Sequence, residues 1–215
     1  MNQDTPQAYI DGFVYFCGLK FIVTSDTLIP RPETEQLVNS VVDFAKDHKD
    51  ISIVDVGTGS GCIAILIAKK IPQAKITAID VSEKALEIAK QNAQNHVVDI
   101  TFLQNDLLAN VKTKFDVIVA NLPYIPSERI PNLDNSVKDF EPLHALDGGA
   151  DGFDLYRKLF SQIISNNIQP DFLACEINDD QEDIALEEST KYFPNARIVV
   201  QNDSANLNRY LYVWF

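Results

Sequence analysis

No run of eighteen consecutive apolar residues occurs in the chain, so no membrane-crossing helix and no membrane partner are expected. The first segment, MNQDTPQAYIDG, is polar and carries two acids. It lacks the basic-then-apolar order of a secretory leader. Cysteine is scarce: Cys17, Cys62 and Cys175 are scattered and odd in number. That excludes a paired-thiolate metal site and a disulfide framework, and it points to a reducing cytoplasm. Positive charge is also short, with 18 Lys and Arg against 31 Asp and Glu and a net charge of −13. Neutralising phosphates drives nucleic-acid affinity, so direct binding to nucleic acid is not expected. Residues 171–190 hold eight acids and no Lys or Arg, a solvated face that leaves room for a basic protein partner. Of the three histidines, His48 and His96 follow or end helical patterns and read as solvent-side. His144 sits in a long loop and reads as a packing or hydrogen-bonding residue. Neither a nucleophile triad nor a metal-ligand cluster is recognisable, and no metal is expected.

What is present is ample apolar content, 46% of 215 residues, enough for one ordinary domain with a small appendage. Two units are expected: an N-terminal β-hairpin and linker over residues 1–30, and a catalytic domain over 31–215. The hairpin reading rests on CGLK between two apolar runs. RPETEQLVNSVVDFAKDH places Leu37, Val38, Val41, Val42 and Ala45 at helical spacing. From residue 51 the pattern alternates strand and helix: ISIVDV, GCIAILIAKK, KITAID, SEKALEIAKQNAQNH, ITFLQN and FDVIVAN. Then come DLYRKLFSQIISNN, DFLACEI, DQEDIALEEST, ARIVVQN and YLYVWF, the last two as an antiparallel pair. Ser82 reads as the N-cap of its helix. Such alternation implies an α/β fold, a mostly parallel sheet with helices on both faces. Residues 121–150 break the rhythm and contain Pro123, Pro126, Pro131 and Pro142. A loop of that length in a compact domain is expected to bind something or to cover a site.

DVGTGSGC joins the first core strand to its helix. Gly57, Gly59 and Gly61 allow a sharp turn and close approach to a ligand, with Thr58 and Ser60 between them. The helix behind offers free N–H groups to an anion. Asp80 ends the next strand, where an acid commonly takes ribose hydroxyls. Asp106 follows the third strand. No Gly-Lys-Ser/Thr follows the loop, so a phosphate-loop kinase is excluded. A dinucleotide loop would need glycine where Cys62 stands. Asp55, just before the loop, would repel a pyrophosphate. It suits S-adenosylmethionine (SAM), whose carboxylate can meet the helix N-terminus while Asp55 meets the ammonium directly or through water.

With SAM in place, NLPY gains a meaning. An amide or nucleobase amino nitrogen attacks poorly because its lone pair is delocalised. Two fixed acceptors must grip its hydrogens. The Asn121 side-chain oxygen is one, and the Leu122 carbonyl, stiffened by Pro123, is the other. Tyr124 offers a flat surface for the substrate plane. Position, more than charge, supplies the rate of such a transfer.

These residues resemble a known family. NLPY is similar to the N/D-P-P-Y/F motif of methyltransferases that act on planar amino nitrogens. LIPRPETEQLV (28–38), DVGTGSGCIAI (55–65) and FEPLHALDGGADGFDLYRKL (140–159) look like the protein-glutamine N5-methyltransferases of peptide chain release factors, the HemK or PrmC family. The resemblance covers nearly the whole chain. It implies a class I SAM-dependent, Rossmann-like seven-stranded fold and methyl transfer to the Gln of a release factor's Gly-Gly-Gln motif, with S-adenosylhomocysteine as product. On this resemblance Gly57 to Gly61 line the methionine part of SAM and Asp80 holds the ribose. Asp106 and Leu107 border the adenine, Leu107 standing where relatives often have an aromatic ring. Asn121 to Tyr124 hold the glutamine, Asn121 also bordering the cofactor, and the PRPETE loop roofs the site with Glu33 or Thr34 near the cofactor. Leu122 replaces the first proline of the family motif, and NLPY is more typical of ribosomal RNA adenine dimethylases. Nucleic-acid amino methylation is therefore the alternative, and a non-catalytic SAM-binding module a third reading. Relatives commonly add a small helical N-terminal domain that contacts the release factor, whereas these residues start essentially at the hairpin linker. A change in partner affinity is the expected consequence.

Overall fold

A computed structural model describes residues 4–215; residues 1–3, the start of the expected N-terminal unit, lie outside the described residues. The chain opens with a short helix, α1 (Gln7–Asp11), and the expected hairpin, β1 (Phe13–Phe16) and β2 (Leu19–Ile22). Helix α2 (Thr34–Ala45) follows, then β3 (Ser52–Val56), α3 (Cys62–Lys70), β4 (Lys75–Asp80), α4 (Glu83–His96) and β5 (Thr101–Gln104). After β6 (Val117–Ala120) come a short helix α5 (Asn135–Lys138), α6 (Asp154–Ser165), β7 (Phe172–Glu176), α7 (Glu182–Tyr192), β8 (Arg197–Asn202) and β9 (Asn208–Trp214). Every strand and long helix read from periodicity is present. Helix α1 falls within residues 1–30, where a hairpin and linker but no helix were expected. Pro6 at its N-cap and left-handed Gly12 at its C-cap were the available signals.

Seven strands form one sheet in the order β5-β4-β3-β6-β7-β9-β8. All neighbouring pairs are parallel except β9, which runs antiparallel to both β7 and β8. This is the class I methyltransferase topology expected from the sequence. The chain winds outward from β3 to β5, then crosses back to β6. The carboxyl ends of β3 and β6 therefore flank a topological switch point, where open α/β sheets hold ligands.

The central strands are buried on both faces, which explains their unbroken apolar runs. Alternate residues of β6 enter two separate cores. Val117 and Val119 pack with α2 and α3 residues such as Leu37, Val38 and Ile65, together with Phe16 and Phe21 of the hairpin. Ile118 and Ala120 pack with Tyr156, Leu159 and Phe160 of α6. Fully buried Asn92 of α4 ties the hairpin to the glycine loop. Its side-chain oxygen accepts from the Ile22 N–H at 2.8 Å, and its amide donates to the carbonyls of Ile22 and Ser60 at 3.0 and 2.9 Å. Ser82 caps α4 as expected, accepting from the Ala85 N–H at 3.2 Å. Among the described residues no helix is long and apolar enough to cross a membrane.

Candidate active site

A cavity of about 720 Å³ opens at the switch point, a volume typical of small-molecule sites. Its floor is the glycine loop with Thr58 and Ser60. One wall carries Asp80, Asn105, Asp106 and Leu107, another Asn121, Leu122 and Pro123. The segments 26–31 and 143–149 form the roof. Three stretches singled out in the sequence thus meet in one place. His144 lies exposed on the rim instead of packing inside.

The loop is held from below. The N–H groups of Gly57 and Thr58 donate to the Ile79 carbonyl at 2.8 and 2.9 Å. Asp80 takes the Gly59 N–H on one oxygen at 2.8 Å and the Ser82 N–H on the other at 2.9 Å. Each oxygen keeps a lone pair for a ligand hydroxyl. The N–H groups of Ser60 and Cys62 find no protein acceptor among the described residues. Gly61 stands behind the lining. An added Cβ there would meet Ala89 of α4 at 3.1 Å, so this glycine lets α3 and α4 pack closely. Its sequence assignment to the cofactor wall shifts to shaping the turn.

Asp55 also stands behind the lining, fully buried beneath the loop. The position differs from the direct ligand contact read as one option from the sequence. One oxygen accepts from the Thr58 hydroxyl at 2.6 Å and the Ala64 N–H at 3.2 Å; the other has no protein partner, nor does the nearby Ser60 hydroxyl. Burial pushes the Asp55 carboxyl up to about 7, against the pull of those two donors. A carboxyl raised above its unfolded value of about 3.9 stabilises the fold at low pH and loses that contribution as pH rises through the folded value. The ligand-free chain is expected to lose stability at this site between about pH 4 and 7, and Asp55→Asn to flatten the slope. Denaturant unfolding across that range measures it; parallel slopes for the two proteins would contradict the assignment.

Asp106 is exposed and paired with Lys158 of α6 at 2.5 Å. Leu107 has a left-handed backbone, φ 52°, and is buried against the second core. The Asn105 amide holds this turn by donating to the carbonyls of Leu107 and Ala109 at 3.0 and 2.9 Å.

The NLPY segment leaves β6 under tight constraint. The Leu122 N–H donates to the Tyr156 hydroxyl at 3.1 Å, and that hydroxyl donates to the Glu176 carbonyl. The Tyr124 carbonyl accepts from the Gln181 side chain at 3.0 Å. The Asn121 amide donates to the Thr34 hydroxyl at 3.3 Å, and Thr34 donates to the Glu176 carboxylate at 2.8 Å. The Tyr124 hydroxyl donates to the other Glu176 oxygen at 3.4 Å, and its side chain packs against the second core and is not among the residues lining the cavity. Burial raises the Glu176 carboxyl above its usual range, opposed by Thr34 and Arg209. Asn121 and Leu122 both line the cavity, and the Asn121 side-chain oxygen and the Leu122 carbonyl have no protein donor among the described residues. The roof is pinned by Arg31, which donates to buried Glu141, and Glu141 also accepts from the Ile29 N–H at 3.3 Å.

Glu176, Tyr156 and Gln181 were not found from the sequence as site residues. Glu176 ends a parallel strand beside the switch point, a position that itself marks functional residues in open sheets. Tyr156 lies inside the 140–159 motif. Among the described residues no cluster of three or more His, Cys, Asp or Glu could hold a metal ion.

Sheet order and cavity together define a class I methyltransferase. The family model described as "Methyltransferase small domain" matches residues 34–132. Solved structures share the fold. A ribosomal protein L11 methylase from Lactobacillus delbrueckii has a TM-score of 0.61 and 22% identity, over 89% of this chain and 81% of its own. The N-terminal domain of human METTL16 in complex with SAH has a TM-score of 0.64 and 16% identity, over 97% and 78%. Curated relatives are closer in sequence. The release factor glutamine methyltransferase of Bacillus cereus is 34% identical over 213 residues, 96% of this chain and 75% of its own length. That of Bacillus subtilis is 36% identical over 210 residues, 94% and 73%. That of Koribacter versatilis is 42% identical over 160 residues, of which the aligned part is 74% of this chain and 57% of the relative. The chain belongs to the release factor glutamine methyltransferase family.

Proposed function

We propose that the chain transfers a methyl group from SAM to the side-chain amide nitrogen of the Gln in a release factor's Gly-Gly-Gln motif, leaving S-adenosylhomocysteine. The observation that carries this reading is the pair of acceptors on the cavity wall, the Asn121 side-chain oxygen and the Leu122 carbonyl. A primary amide has two N–H hydrogens, and two fixed acceptors can take both. The amide nitrogen is then held in one orientation, which is the main catalytic need of a charge-dispersing displacement. SAM supplies an electrophilic methyl carbon on a sulfonium. Tyr156 and Pro123 keep the Leu122 carbonyl in place, and the roof over residues 26–31 and 143–149 limits access of water. The methylated nitrogen returns its extra proton to solvent, so no strong base is required.

The residues fit SAM. Asp80 has free lone pairs for ribose hydroxyls. The Ser60 and Cys62 N–H groups suit its carboxylate, and Asp106 and Leu107 border the place for an adenine. The unpartnered oxygens of Asp55 and Ser60 suit water-mediated contact with its ammonium. Asp80→Ala is expected to weaken SAM binding by about 1–3 kcal/mol, because it removes ligand contacts and frees the Gly59 N–H together. Calorimetric titration measures this; unchanged affinity would remove Asp80 from the site. Such a substrate belongs to translation, which puts the enzyme in the cytoplasm. Nucleic-acid amino methylation is the competing reading, and the net charge of −13 disfavours it. Incubation with radiolabelled SAM, a release factor and ribosomal RNA separates them: label on protein supports the proposal, label on RNA alone overturns it.

A further inference from the structure

An asparagine side chain is nearly symmetric in shape. Turning it over exchanges oxygen for NH₂ at almost no steric cost, so its neighbours decide which atom faces where. This matters at Asn121. If its NH₂ faced the cavity, two donors would confront the hydrogens of a substrate amide. The family motif names the asparagine but does not say what sets its orientation.

In this chain the orientation traces to a buried carboxylate at the end of the next strand. Glu176 is 1% exposed, and its two carboxyl oxygens stand as acceptors between two hydroxyls, those of Thr34 and Tyr124. Its Oε2 takes the single Thr34 hydroxyl hydrogen at 2.8 Å. With that hydrogen committed, the Thr34 oxygen can only accept. It accepts from the Asn121 amide nitrogen at 3.3 Å. Thr34 is itself 2% exposed and begins α2, so helix packing fixes its place. The Tyr124 hydroxyl stands at the other Glu176 oxygen at 3.4 Å. Both flanks of Asn121-Leu122-Pro123-Tyr124 are thus tied to one carboxylate.

We infer that Thr34 and Glu176 are positioning residues whose fixed donor direction turns the Asn121 carbonyl oxygen into the cavity. The inference rests on the glutamine reading for its catalytic meaning, but the orientation itself is a property of the substrate-free chain. Neither residue needs to touch the transferred methyl group.

Two substitutions at position 34 separate hydrogen bonding from packing. Thr34→Val keeps the shape and removes the hydroxyl; Thr34→Ser keeps the hydroxyl. At saturating SAM and release factor, kcat is expected to fall about 10- to 100-fold in Thr34→Val, the loss expected for one misplaced hydrogen-bond partner. Thr34→Ser is expected to stay within about threefold of the native chain. Glu176→Gln places an NH₂ where one of two hydroxyls now donates, and about a tenfold loss is expected. Equal losses in Thr34→Val and Thr34→Ser, or none in Thr34→Val, would overturn the inference. The Asn121 side-chain NH₂ is read directly by nitrogen-correlated NMR of the substrate-free chain. One of its protons is expected to be shifted and slow to exchange in the native and Thr34→Ser proteins, and to lose both features in Thr34→Val. Identical spectra in all three would overturn the inference. If the native chain transfers no methyl to the release factor, the glutamine reading fails. The NMR comparison still decides the orientation claim.

Discussion

Asn121→Ala is expected to lower kcat by about 10²–10³-fold, the cost usually seen when one well-placed polar partner of a transition state is removed. SAM affinity is expected to stay within about threefold, less than 1 kcal/mol. The split follows from the location of the side chain. Its amide is spent on Thr34 at 3.3 Å, while the glycine loop and Asp80 are held by independent hydrogen bonds on the other side of the cavity. The variant loses one acceptor for the substrate amide and leaves the cofactor wall intact. Single-turnover kinetics beside calorimetric titration measure both quantities. A parallel collapse of SAM affinity would assign Asn121 to the cofactor instead.

Gly152→Ala is expected to lower stability by about 3 kcal/mol, the upper range for forcing a methyl group into a packed site. For a chain of this size that corresponds to roughly 6–12 °C in the thermal midpoint. Gly152 has φ +79°, a left-handed conformation, and an added Cβ would lie 2.2 Å from the Tyr124 carbonyl oxygen and 2.6 Å from the Gln181 side-chain nitrogen. The same carbonyl accepts the Gln181 hydrogen bond that holds the loop after Pro123. The methyl group must therefore displace the NLPY segment itself. Activity is expected to fall well below the native value even at temperatures where the variant remains folded. Calorimetric unfolding and an assay below the midpoint test both parts. A midpoint within about 2 °C of the native one would show that the loop yields easily.

The sequence reveals those features whose causes are local. Ile53 to Val56 and Val117 to Ala120 read as buried strands because a doubly covered parallel sheet needs continuous apolar residues. Ser82 reads as a cap because its hydroxyl serves an N–H three residues on. The glycine loop and Asp80 are separated by one helix and one strand, so the spacing alone brings them together. The order of the remaining site depends on distant pairs. Thr34 and Glu176 lie 142 positions apart, and no local pattern announces their hydrogen bond. The segment 121–150 looks irregular because its partners are non-local: the Ile125 N–H donates to the Leu146 carbonyl, and the Gly148 N–H to the Ile125 carbonyl. Asp55 was legible as an acid beside the loop. Its burial was not, because the depth of a strand end is set by the elements packed over it.

The most direct test is mass spectrometry of a release factor after incubation with the chain and SAM, with fragmentation across the Gly-Gly-Gln peptide. The account predicts one added methyl on the glutamine side-chain amide, none on a substrate in which that Gln is replaced by Ala, and none with Asn121→Ala at matched turnover time. A methyl placed on another residue, or one that persists in the Gln→Ala substrate, would contradict it.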